Sequence, residues 1–191
     1  MNKKGATTTD LNNNNAVSEV SLNYKTQKKW ADRLTGYTCY MMYAKSLYIT
    51  WQNETYWTYN CFDEKSDENI EVSKLSTVCW LDIRGYLRMS ELSPGVVYEI
   101  VYEVKLTKGA SGWKLPIKLQ LALPDGRVQE RQVSLLEKPR KEWFQLNVGN
   151  FQSKDGESGE ICFSIFEHGG HWKTGLIIKG AILRPKKQMT L

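Results

Sequence analysis

The chain has 191 residues, of which 41% are hydrophobic and 25% charged, enough for one ordinary domain with a buried core. Its net charge of +5 sits at the ends: residues 1–33 carry +3, residues 34–183 carry −1, and Arg184, Lys186 and Lys187 restore +3. A near-neutral body argues against a phosphate-reading domain, which concentrates positive charge on its folded face. No run of about 18 apolar residues marks a membrane span. Seven Trp and ten Tyr exceed what packing usually requires, which points to recognition by ring faces or to a β-rich core.

The first segment, MNKKGATTTDLNNNNAV, is polar and low in complexity, and residues 1–20 read as a disordered tail. It lacks the apolar run of a secretory signal, so a protein outside the secretory pathway is expected. LNYKTQKKWADRL follows at 22–34, within an N-terminal extension over 21–37. Leu22, Trp30 and Leu34 fit one face of a short amphipathic helix, with Thr26 as its cap.

From Thr38 onward the chain reads as strands between turn signals. In LYITW, Leu47, Ile49 and Trp51 share a face, and in YWTYN, Trp57, Tyr59 and Cys61 do. Paired as a hairpin around QNETY, these strands bring both tryptophans near one tip. The rings then either cap a core or form a surface platform for the apolar faces of sugar rings, with Trp57 the more exposed. IEVSKLST reads as a brief helical turn before the strand VCWLDIRGYL. YEIVYEVKL alternates, with Tyr98, Ile100, Tyr102, Val104 and Leu106 on the apolar face.

KLPIKLQLAL alternates as well, and Pro116 on its outward set argues for an edge strand. Pro124-Asp125-Gly126-Arg127 is a hairpin turn into VQERQVSLL. WFQLNV and ICFSIF supply further strands, and LIIKGAIL, nearly continuous in apolar residues, reads as a central one. Seven to nine such segments in about 150 residues fit an all-β fold: an antiparallel β-sandwich, jelly-roll-like, with a few short helices.

Motifs for chemistry fail in turn. His168 and His171 in EHGGHWKTG lack a third ligand at any recognisable spacing, so no metal site is expected and the stretch reads as a Gly-rich loop. Lys173 precedes Thr174-Gly175 where a phosphate loop needs it after the glycine. Ser111 with Lys114, beside Lys173-Thr174-Gly175, mimics two boxes of a β-lactamase without the third. The cysteines at 39, 61, 79 and 162 form no CxxC pair. Cys79 and Cys162 sit in strand-like runs as buried thiols, while Cys39 and Cys61 are the candidates for exposed thiols or an intermolecular disulfide. Nothing demands an enzyme or a cofactor.

SLYITWQNETYWTY, ENIEVSKLSTVCWLDIRGYL, LSPGVVYEIVYEVKL and GEICFSIFEHGGHWKTGLIIKGAILRP, in that order, resemble the phloem protein 2 family. That family includes the cucurbit phloem lectins and the tobacco jasmonate-inducible lectin. The resemblance runs from about Thr38 to Pro185 and places a lectin domain at 38–187. It implies a non-catalytic plant lectin, cytoplasmic or nucleocytoplasmic and often homodimeric. Its ligands would be N-acetylglucosamine oligomers (chito-oligosaccharides) and the cores of N-glycans, in phloem-based defence.

By the same resemblance, Trp51 and Trp57 correspond to sugar-binding tryptophans, and Glu160 and Glu167 to two family carboxylates. Trp172 and Lys173 fall in a loop that is also similar to the sugar-contacting loop of glycoprotein-recognising F-box proteins. Tyr56 would extend the platform and His171 bond hydroxyls. The Lys-rich nuclear-import segment of the tobacco lectin has only LLEKPRKEW as a thin counterpart, and residues 1–37 read as no F-box sequence, so a ubiquitin-ligase role is not expected. Two alternatives stay open: an RNA-binding phloem transport protein, through the basic tails, and a structural sieve-element protein cross-linked through thiols.

Overall fold

The computed structural model describes residues 20–22, 26–62 and 70–188. Its first six strands are β1 (Val20–Leu22), β2 (Gln27–Ala31), β3 (Thr38–Tyr43), β4 (Tyr48–Ile49), β5 (Trp57–Phe62) and β6 (Glu71–Leu75). Then come β7 (Leu81–Arg88), β8 (Val97–Ser111), β9 (Ile117–Ala122), β10 (Val128–Val133), β11 (Trp143–Gln152), β12 (Glu160–Glu167) and β13 (Thr174–Pro185). The only helical elements among the described residues are two single 3-10 turns, Ala44–Ser46 and Met89–Glu91.

All pairings are antiparallel and make two sheets. One has five strands in the order β10-β9-β12-β7-β4. The other has eight and is built around β13, which pairs β8 on one side and β3 and β6 on the other, with β11 outside β8. This is the sandwich that the alternation predicts. Tyr98, Ile100, Tyr102, Val104 and Leu106 of β8 are fully buried against Ile117, Leu119 and Leu121 of β9 and Ile161, Phe163 and Ile165 of β12. Tyr102 carries its hydroxyl into that core and donates it to the Phe163 carbonyl at 2.6 Å, so the polar atom does not go unpaired. Gly85 of β7 lies opposite Phe163, and a Cβ there would sit 2.0 Å from the Phe163 ring. Between the sheets, the Gln129 amide pairs the Asn150 backbone (2.6 and 3.2 Å) and occupies the open edge of β11 as a strand would.

Several local expectations give way to pairing. Residues 27–31 form β2, not a helix, because the edge of β3 offers a full ladder from Gln27↔Met42 to Ala31↔Thr38. Residues 71–75 form β6, paired with β5 and β13, where a helical turn is expected from sequence. The strand after Pro116 is interior, between β10 and β12; Pro116 precedes its first residue, so the missing N–H interrupts no ladder. Most consequential, β4 and β5 do not form a hairpin: β4 pairs β7 in one sheet and β5 pairs β6 in the other. The segment QNETY therefore crosses from sheet to sheet, at the end of the sandwich where β7 begins and β12 ends.

Candidate functional site

The crossing begins at the end of β4. Tyr48 and Ile49 pair Arg84 and Ile83, and the Thr50 N–H extends the ladder to the Asp82 carbonyl at 3.0 Å. The chain then turns through Trp51 with φ +59, a left-handed backbone that costs an L residue about 1–2 kcal/mol. The turn is held by Asn53, whose N–H reaches the Trp51 carbonyl (2.8 Å) and whose side chain accepts the Thr55 N–H (3.0 Å). Trp51 is left 56% exposed, edge-on to Tyr56 at 6.1 Å. The Tyr56 carbonyl in turn accepts the Ser76 N–H at 2.8 Å, which ties this loop to the segment leading into β7.

At the start of β7, Trp80 stands 47% exposed with its ring flat against His168, centroids 3.7 Å apart and planes within 5°. His168 Nε2 lies 2.9 Å from Asp82 Oδ2, and Arg84 bonds both carboxylate oxygens, at 2.8 and 3.1 Å. Burial pushes the Asp82 carboxyl up, but the bonds from Arg84 and His168 outweigh it and hold the group below the usual carboxylate range. An ionised carboxylate only accepts, so Nε2 of His168 carries the proton. The histidine is thereby fixed as a backing plate for the Trp80 indole.

The third part is the loop between β12 and β13. Glu167 Oε1 accepts the Gly169 N–H at 2.8 Å and starts the turn. Trp172 is 59% exposed, and Lys173 next to it is fully buried. Lys173 pairs Val78 through two backbone bonds of 2.9 and 3.0 Å, so the Trp172 segment runs beside the one carrying Trp80. On the opposite side it is braced by the end of β8: Ser111 and Thr174 hydroxyls meet at 2.9 Å, and Trp113 Nε1 donates to the Thr174 carbonyl at 3.0 Å. Gly112, φ +89, allows that approach, since a Cβ there would lie 2.1 Å from the Trp172 carbonyl oxygen.

One end of the sandwich thus gathers three half-exposed indoles on three separate segments, with Asp82, Arg84, His168 and Glu167 beside them. Burial lowers the Lys173 ammonium, partly opposed by Glu167. Among the described residues no cluster of His, Cys, Asp and Glu is suited to a metal ion, and no helix is long and apolar enough to cross a membrane.

Against known proteins, the family model for phloem protein 2 matches residues 37–185. This chain belongs to the phloem protein 2 family. It is 45% identical over 170 residues to a protein of Luffa acutangula named "Lectin", covering 88% of this chain and 80% of that one. It is equally 45% identical, over 175 residues, to Protein PHLOEM PROTEIN 2-LIKE A1 of Arabidopsis thaliana, covering 89% and 71%. Among solved structures, the CBM22-1 xylan-binding domain of Paenibacillus barcinonensis Xyn10C shares 16% identity at a TM-score of 0.45, covering 76% of this chain and 89% of that domain.

Set on this phloem protein 2 fold, the residues expected from sequence separate. Trp51, Tyr56, Glu167 and Trp172 come together at one end, with His171 in the same loop. Trp57 does not present its ring: as the first residue of β5 opposite Leu75, it is 1% exposed in the core. The expectation that Trp57 is the more exposed tryptophan is corrected, because the chain crosses between sheets and its next inward position is Trp57. Lys173 is likewise buried, its ammonium directed at backbone carbonyls and not at solvent.

Glu160 is exposed but lies at the opposite end of β12, facing Arg88. Seven residues of strand separate it from Glu167, about 23 Å. Cys39 is 2% exposed, and burial pushes its thiol up to about 11, so it is not the exposed thiol the sequence suggests. The Cys61 side chain lies outside the described residues. Sequence reading missed Trp80 and Asp82. A signal was present: in CWLDIR, Leu81 and Ile83 take the core positions, which puts Trp80 and Asp82 together on the opposite face, Trp80 half exposed and Asp82 covered by His168 and Arg84.

Proposed function

We propose that this chain is a non-catalytic carbohydrate-binding lectin whose ligands are N-acetylglucosamine oligomers and the cores of N-glycans. The observation that carries the reading is the set of half-exposed indoles of Trp51, Trp80 and Trp172 on one end of the sandwich. Pyranose rings present apolar C–H faces that stack on such indoles, while their hydroxyls need charged partners at the edge. Glu167 and the half-exposed Arg84, the latter held by the buried Asp82, provide a carboxylate and a guanidinium within the same cluster. The lectin name of the Luffa relative points the same way. Three platforms on separate segments favour an oligomer over a single sugar, because each further ring adds stacking area.

In this reading the unit over 38–187 binds the glycan, as a homodimer in the cytoplasm of phloem cells, in defence. Each site binds weakly, and pairing two sites raises avidity for polyvalent glycans. The RNA alternative has less support, since the body is near neutral and several arginines are paired: Arg84 with Asp82, Arg127 with Asp125 and, at the basic C-terminal end, Arg184 with Glu99. A thiol-linked assembly rests on Cys61 once Cys39 is removed from consideration. Calorimetric titration with chitotriose tests the proposal. Saturable heat that is lost in Trp80→Ala and Trp51→Ala supports it, and no heat from the wild type at millimolar ligand contradicts it.

A further inference from the structure

Lys173 is the one lysine of the described chain that is fully buried, and its surroundings account for all of its hydrogen-bonding capacity. An ammonium has three N–H donors and no acceptor. Lys173 Nζ donates to the Cys79 carbonyl, to the Gly169 carbonyl at 3.2 Å and to the His171 carbonyl at 3.1 Å. Those acceptors belong to two segments that share no strand: Cys79 immediately precedes Trp80, and His171 immediately precedes Trp172. The Cys79 thiol adds a parallel link, donating to the Gly170 carbonyl at 3.3 Å. Glu167, which opens the loop through Gly169, is the carboxylate whose field favours the charged amine.

We infer that Lys173 is a positioning residue, whose ammonium sets the distance and tilt between the Trp80 and Trp172 platforms and so determines how much a longer oligosaccharide gains over a single sugar. The inference rests on the sugar-binding reading above. A buried charge is a costly way to join two loops, since removing an ammonium from water is repaid only by complete hydrogen bonding. An apolar side chain of the same length would fill the space without fixing either carbonyl. The ammonium gives direction as well as contact, with one donor to the Trp80 segment and two to the Trp172 loop. Trp80 itself is already oriented by His168, and Trp172 by the end of β8. The Val78–Lys173 backbone bridge and the Cys79 thiol set the two segments side by side; the ammonium fixes their spacing and tilt beyond that bridge. A ligand that touches one platform is indifferent to that relation; a ligand that spans both binds its second ring intramolecularly only when the spacing is right.

The test compares N-acetylglucosamine with its trimer on wild type, Lys173→Met and Lys173→Gln, by ligand-detected NMR for the monosaccharide and calorimetry for the trimer. Met keeps the stem and removes every donor; Gln keeps two donors on a shorter stem. The expected result is a folded Met variant with monosaccharide affinity within about twofold of wild type and trimer affinity lower by on the order of tenfold or more. Gln falls between the two. An unchanged trimer-to-monosaccharide ratio in either folded variant overturns the inference. Equal weakening of both ligands also overturns it, because that pattern belongs to direct contact or general loosening, and so does failure of both variants to fold. A wild type that binds neither sugar would instead refute the sugar reading itself, with Lys173 not yet involved, whereas one that binds the trimer no better than the monosaccharide overturns the inference.

Discussion

Trp57→Ala separates a core residue from a ligand platform more cleanly than any other substitution here. The indole is 1% exposed and belongs to the core cluster that includes Leu75, Ile49 and Val78. Its Nε1 has no hydrogen-bond partner, so truncation removes packing and breaks no polar contact. Trp→Ala at such a site costs about 3–5 kcal/mol in lost transfer and cavity terms. Against a total stability of about 5–15 kcal/mol for a domain of this size, that is a large fraction. At about 2–4 °C per kcal/mol, the melting temperature should fall by about 6–20 °C.

Trp57→Phe refills most of the space and removes the unpaired donor, so it should recover more than half of the loss. Differential scanning calorimetry with urea titration measures both. Trp80→Ala serves as the contrast: its ring is half exposed and rests on one histidine, so its melting point should stay within a few degrees of wild type while glycan binding is lost. A Trp57→Ala protein with an unshifted melting point and abolished binding would refute the placement of this residue in the core.

Three further outcomes follow from the geometry. Glu160→Gln should leave chitotriose affinity unchanged by calorimetry, since Glu160 faces Arg88 at the far end of β12, whereas Glu167→Gln should weaken it. Asp82→Asn should cost about 1–3 kcal/mol at pH 7 by urea titration. Because the folded carboxyl sits below its unfolded value of about 3.9, that contribution is complete above pH 5 and disappears as pH falls through the lower folded value; the two proteins should converge in acid. Cys39, with its thiol near 11, should resist iodoacetamide at pH 8 in the native protein and react on unfolding, as peptide mass mapping would record.

The sandwich was legible because its core strands alternate with period two: β9 does so throughout, and β8 and β12 do so across the core apart from Val101 and Ser164, which are buried on the opposite face. What failed were segments whose state is decided by a distant partner. Residues 27–31 become a strand because β3 exposes an edge, and no local signal reports that edge. The same blindness produced the hairpin: Trp51 and Trp57 are six residues apart, a spacing that a hairpin and a sheet-to-sheet crossing both satisfy, and the choice rests on β7 and β6. At the site, the exposed Trp51 and Trp172 were legible as aromatics in polar stretches. Trp80 was hidden inside an apolar strand, and Lys173 reads from sequence as a solvent cation because the carbonyls around it come from residues 79, 169 and 171.

The central claim is that glycan binds the end of the sandwich formed by Trp51, Trp80 and Trp172. The seven indole N–H signals of a nitrogen-15 labelled sample report it directly during titration with chitotriose. The signals of Trp51, Trp80 and Trp172 should shift together with one dissociation constant, while those of Trp57, Trp113 and Trp143 stay in place. Saturable shifts confined to Trp143, the first residue of β11 with Lys105 and Lys179 over its ring, or a set in which Trp57 moves and Trp80 does not, would contradict it.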